Sequence, residues 1–91
     1  MSPSKISPAT LEKLTDLRTR WEKLTYRQQE IALLVMGENL TNRQIAQRLS
    51  LSRHTVKDHL SAVYARLEVR GRRSLRRLMI YAAKHGELLD E

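Results

Sequence analysis

His54, Thr55, Lys57, Asp58 and Ser61 form a compact polar array, and together these residue types do one kind of chemistry: they donate and accept hydrogen bonds. Turned at about 100° per residue, the stretch places Val56, Leu60, Val63 and Leu67 in one narrow arc and His54, Asp58, Ser61 and Ala65 opposite, with Thr55, Lys57 and Ala62 on the flanks. The outer face holds no bulky apolar group. A surface that enters a DNA groove needs donors and acceptors for base edges near its leading end, and small residues where it runs close to the backbone. This face supplies both. Lys57 alone would read as an ordinary solvated charge; the combination carries the argument.

The same residues do not make an active site. His54 and His59 are five positions apart on a helix and diverge, and Asp58 beside His59 points in another direction. The chain has no cysteine, hence no thiol nucleophile, disulfide framework or zinc finger. Neither a carboxylate pair nor a glycine-rich phosphate loop is present. The expectation is a protein that is not an enzyme and takes no metal, cofactor or small-molecule ligand.

The elements that must position the polar array are two helices separated by a very short turn. Ile45, Ala46 and Leu49 share a face, Ser50-Leu51-Ser52 interrupts, and the apolar arc of the second helix follows. This spacing predicts a helix-turn-helix with residues 53–67 as its second helix. Ala46 falls where the helices meet, and a small side chain there lets them cross closely.

Local signals mark the remaining elements. Residues 1–7 read as a flexible arm, with Ser7 as N-cap and Pro8 opening an N-terminal helix over 8–24. Leu11, Leu14, Leu17, Trp21 and Leu24 make a broad stripe on it, which suits either the domain's own core or a second copy. Thr25-Tyr-Arg-Gln28 is a capping box whose helix has Ile31, Leu34 and Val35 inside and Asn39 as a left-handed C-cap. Thr41-Asn-Arg-Gln44 is a second capping box, and Ser52 caps the next helix. A last helix is predicted from Arg72 to Lys84, closed by His85-Gly86, with 85–91 as an acidic tail.

Charge points to the same half of the molecule. Of the net +7, residues 41–84 carry eleven Lys/Arg against two Asp/Glu, whereas residues 1–40 carry six against five. Such asymmetry suits a polyphosphate partner, because each neutralised phosphate releases counterions. The longest apolar run, Leu78 to Ala83, is too short to span a bilayer, and the N-terminus has no apolar signal region. An intracellular protein is expected, without a membrane partner. Ninety-one residues make one small domain with no room for a separate sensing domain, and the start at Met1 with its own capped helix favours a stand-alone regulator over an excised fragment.

Leu24-Thr-Tyr-Arg27 with Glu30-Ile31, Leu40-Thr-Asn-Arg-Gln-Ile-Ala46, Leu51-Ser52, Thr55-Val-Lys57, His59-Leu60, Tyr64, Leu67 and Val69 stand in an order that resembles the DNA-binding domain of LuxR-type (NarL/FixJ) regulators, over about residues 23–84. Thr-Val-Lys-x-His-Leu followed by Val-Tyr-x-x-Leu sets it apart from the related promoter-reading region of sigma factors. The resemblance implies an all-α fold: a four-helix domain, here residues 25–84 preceded by the extra N-terminal helix, whose third helix lies in the major groove and whose fourth pairs two copies on an inverted repeat.

By position, the resemblance implies base contacts from Lys57, Asp58 and Ser61; His54 joins them on the outer face. It implies phosphate contacts from Asn42, Arg43, Thr55 and His59, to which this chain adds basic Arg53 and Arg66. Tyr64 reads as core packing, and His59 suits a packed role nearly as well as a phosphate contact. Two positions depart from the family's common glycine: Asn39, which tolerates the same backbone, and Glu68, which calls for a different turn or some strain. Arg70 to Arg77 is more basic than the fold requires, fitting either flanking phosphates or the acidic tail.

On the last helix Leu75, Leu78 and Ala82 suffice for the core, leaving Met79, Ile80 and Ala83 as a homodimer surface, with the N-terminal helix as the competing interface. The expected function is a bacterial transcription regulator in the cytoplasm, at the nucleoid, that binds double-stranded DNA, with RNA polymerase as a further partner. The alternative is a protein-binding adaptor that acts on another regulator without reading DNA.

Overall fold

A computed structural model describes residues 7–86, which form five helices: α1 (Pro8–Glu22), α2 (Tyr26–Glu38), α3 (Asn42–Leu49), α4 (Arg53–Leu67) and α5 (Arg72–Gly86). No strand occurs among the described residues. The expected N-terminal arm, apart from Ser7, and the acidic tail from Glu87 onward lie outside them.

Each of the first four helices starts where a side chain can meet its orphan N–H groups. Ser7 Oγ accepts from the Thr10 N–H at 3.1 Å, and Pro8 takes the first helical position, where its missing N–H costs nothing. Both capping boxes are closed. Thr25 and Gln28 exchange bonds at 3.1 and 3.0 Å, and Thr41 and Gln44 at 3.1 and 2.9 Å. On α4 the Ser52 Oγ accepts from the Thr55 N–H at 3.0 Å and donates to the Thr55 hydroxyl at 2.9 Å.

The ends of α2, α3 and α4 share one device, a residue in the left-handed region: Asn39 (φ 53°), Ser50 (φ 57°) and Glu68 (φ 57°). Asn39 behaves as its sequence suggests. Glu68 keeps the backbone that glycine would adopt, so the turn is unchanged and strain of about 1–2 kcal/mol is accepted. Ser50 was not marked by any sequence signal, yet it turns α3 into the loop, with the Leu51 N–H reaching the Ala46 carbonyl at 2.9 Å. Its side chain is exposed. Ser50→Gly should therefore stabilise the fold by about 1 kcal/mol, seen as a higher urea midpoint; an unchanged or lower midpoint would show that the turn is not strained.

The helix limits differ from the sequence reading at two ends. α1 stops at Glu22, and Leu24 is buried in the connection instead of completing the helical stripe. α5 runs through His85 to Gly86 instead of closing at Lys84. A glycine costs a helix about 1 kcal/mol without forbidding it, and in the last turn the Tyr81 and His85 rings pack with centroids 4.6 Å apart.

α4 is the central element, packing against α1, α2 and α3, while α5 closes over α1 and α2. Val56, Leu60, Val63 and Leu67 project from α4 into a core shared with Ile31, Ala32, Val35, Ile45, Ala46 and Leu75. Ala46, only 5% exposed, occupies the junction of the α3–α4 pair that its small size predicted. Leu14 on α1 is buried, and Leu17 and Trp21 pack against the core cluster. α1 thus uses its stripe on the domain's own core, leaving Leu11 at its outer end 45% exposed.

Candidate nucleic-acid interface

The burial of α4 divides as its wheel predicts. The four apolar residues are buried, while His54, Lys57, Asp58, Ser61 and Ala65 are exposed and Thr55, His59 and Ala62 are half-buried. Solvent therefore meets a strip of imidazole, ammonium, carboxylate and hydroxyl groups ending on an alanine. One contact orders this strip: His54 Nε2 lies 3.4 Å from Asp58 Oδ2, one helical turn away, and is an ion pair only when the imidazole is protonated. Thr55 is already committed to the cap through its N–H and accepts from Ser52. Its hydroxyl hydrogen remains available for donation.

The basic residues expected on phosphates occupy the helix starts and the far end of α4. Arg43 is exposed in the first turn of α3, Arg53 is exposed as the first residue of α4, and Arg66 is exposed in its last turn. Asn42, the first residue of α3, is half-buried, and its Oδ1 accepts from Arg72 Nη2 at 2.9 Å. That bond leaves its NH2 group as the donor. Tyr64 is half-buried against the core; burial pushes its hydroxyl above the ordinary pKa of 10.0, with the charge of Arg72 pulling the other way.

Two arginines that hold this surface in place escaped the sequence reading. Arg72 donates to the Leu40 carbonyl and to Asn42, tying the start of α5 to the start of α3. Arg20 on α1 donates to the Arg66 carbonyl at 3.2 Å, pairs with Glu68 at 3.0 Å and with Asp16 at 2.9 Å. The hydrogen bond to Asp16 is the main cause holding its guanidinium above the ordinary pKa. A cation at the C-terminus of α4 complements the helix dipole. Arg72 had one available signal, a basic residue in the first turn of a helix, where the dipole disfavours it. Arg20 had none, since its partners lie 46 positions or more away along the chain, apart from Asp16.

Met79, Ile80 and Ala83 are not equivalent. Ile80 is 65% exposed and Ala83 is exposed, whereas Met79 is half-buried in an apolar groove of about 320 Å³ between α1, α2 and α5, with Trp21, Leu33 and Met36 among its walls. Among the described residues no group of His, Asp or Glu could hold a metal ion, and no helix is long and apolar enough to cross a membrane.

A short helix crossed by a longer one across a three-residue turn, the longer one buried on one arc and polar on the other, defines a helix-turn-helix DNA-binding domain. The family model for bacterial regulatory proteins of the luxR family matches residues 22–79, and the chain belongs to that family. It is a DNA-binding transcription regulator. The match begins at the last residue of α1, so the helix that supports α4 through Arg20 precedes the shared domain. No curated protein and no solved structure gives a significant match to the chain.

Proposed function

We propose that the protein reads double-stranded DNA sequence-specifically, with α4 in the major groove, as a homodimer on an inverted repeat in the bacterial cytoplasm. The observation that carries this reading is the division of α4 into a buried apolar arc and an exposed polar one. Lys57 donates to guanine O6 and N7, and Asp58 accepts from the cytosine N4 amino group. Ser61 continues the strip one turn on, and His54, within reach of Asp58, competes with cytosine for the carboxylate when protonated. Asp58 also repels phosphate, which lowers non-specific affinity and sharpens discrimination.

Phosphates are held around this strip by the Asn42 amide, Arg43 and the unpaired N–H groups at the start of α3. Arg53, Thr55, His59 and Arg66 hold others along α4. Ile80 and Ala83, with Met79 at the edge, give α5 an apolar face for a second copy, which matches a palindromic site by its own two-fold symmetry.

The division of labour is testable with two variants. Lys57→Ala should weaken binding to the preferred site by about 1–3 kcal/mol and relax the preference at one base position. Arg43→Ala should weaken binding to all duplexes alike and make the salt dependence shallower by about one unit of slope per copy. If both variants lose affinity uniformly across a sequence library, Lys57 does not read bases.

A further inference from the structure

Arg72, Arg73, Arg76 and Arg77, together with Asn39 and Ile80, line a pocket of about 410 Å³ at the junction of α2 and α5. Among the described residues no acidic side chain lines it. Among the described residues, the Arg–carboxylate pairs are those of Arg20, Arg27 and Arg48, so none of these four arginines has a carboxylate partner. Among the described residues, Arg76 Nε is buried with no hydrogen-bond partner. The pocket also lies at the start of α5, whose first turn carries no acidic residue and whose dipole adds to the positive potential. Four like charges gathered with no carboxylate partner among the described residues repel one another, and a buried donor left unmet is costly. Both costs are relieved by a bound anion with several acceptor oxygens.

The position of the pocket selects the anion. Arg72 forms one wall and also bonds to Asn42, the first residue of α3, so the pocket adjoins the helix start to which phosphate contacts are assigned above. We propose that this arginine pocket holds a DNA backbone phosphate outside the footprint of α4, with Arg73, Arg76 and Arg77 donating to its oxygens and Arg72 serving to position α3. The inference rests on the DNA-reading function proposed above. Guanidinium groups suit it because they present several donors in a fixed fork that matches phosphate geometry. The contact carries no sequence information, and it fixes the register of the domain on the duplex.

The test uses Arg73→Gln/Arg77→Gln, two exposed positions whose exchange leaves the core intact, with the helical circular dichroism signal as a check of folding. On a duplex of the preferred sequence, the parent should show a steep salt dependence. The double variant should lose about 1.8 in slope, for one phosphate per copy of the dimer, close to sixtyfold in affinity at about 0.1 M salt. Phosphate ethylation interference should lose one sensitive position in each half-site and keep the rest, and Arg73→Lys/Arg77→Lys should restore most of the slope. An unchanged slope and ethylation pattern in the double variant, with the parent binding normally, overturns the pocket assignment alone. A parent with no salt-sensitive binding overturns the DNA-reading function beneath it. If truncation after Gly86 and the double variant lower the melting temperature by the same amount without adding, the acidic tail fills the pocket and the phosphate assignment is wrong.

Discussion

Raising the salt concentration from about 50 to about 200 mM should weaken duplex binding by roughly ten-thousandfold. The magnitude follows from the number of cations placed on phosphates. In the proposed complex Arg43, Arg53, Arg66 and the arginine pocket of α5 would hold about four phosphates per copy, and a two-fold dimer doubles them. With about eight phosphates neutralised, the slope of log affinity against log salt is near −7, and a fourfold rise in salt then costs about four decades. A monomer would show about half that slope, so the same titration reports on dimerisation. A slope near zero with retained binding to another protein would support the adaptor reading.

Leu60→Ala should be the most damaging single change on α4. Leu60 is 2% exposed and lies midway along the apolar arc, in the cluster shared by α2, α3, α4 and α5. Removing its side chain forfeits the transfer term and leaves a cavity that three packed helices cannot close, which costs about 3–4 kcal/mol. Small domains have about 5–15 kcal/mol of stability in total, so the variant should melt far below the parent and bind DNA only where it remains folded. Ser61→Ala, the adjacent exposed position, should leave the melting temperature nearly unchanged and alter only DNA selection. If Leu60→Ala costs less than about 1 kcal/mol, α4 is not anchored through this arc.

The contrast between those neighbours also shows what the sequence can reveal. The apolar arc, the two capping boxes and the Ser52 and Asn39 caps are local: each is written in residues within one or two turns, and each forms as the spacing predicts. The tethers are not local. Arg72 reaches back 30 and 32 positions to Asn42 and Leu40, and Arg20 reaches forward 46 to Arg66. Nothing in the sequence distinguishes Arg20 or its distant partners from solvated groups, and Arg72 is marked only by its unfavourable place in the first turn of a helix.

The left-handed residues fall between these cases. Asn39 has a side chain that tolerates the conformation, so its role was legible. Ser50 and Glu68 adopt it because packing of the following helix outweighs a modest backbone cost. The stripe on α1 was compatible with two partners, and only the fold shows that Leu14 and Trp21 are taken up by α4 and α5 of the same chain. The polar strip of α4 was legible as a surface, since its exposure follows from the buried arc opposite.

The most direct test of the central claim, that α4 reads DNA sequence, is selection of the full chain on a randomised duplex library, with the enriched site then titrated at several salt concentrations. An enriched inverted repeat is expected, whose preference at one position in each half-site relaxes with Lys57→Ala. Salt-sensitive binding with no enriched sequence would contradict the assignment of α4 as a reading helix, and no duplex binding at all would contradict the proposed function as a whole.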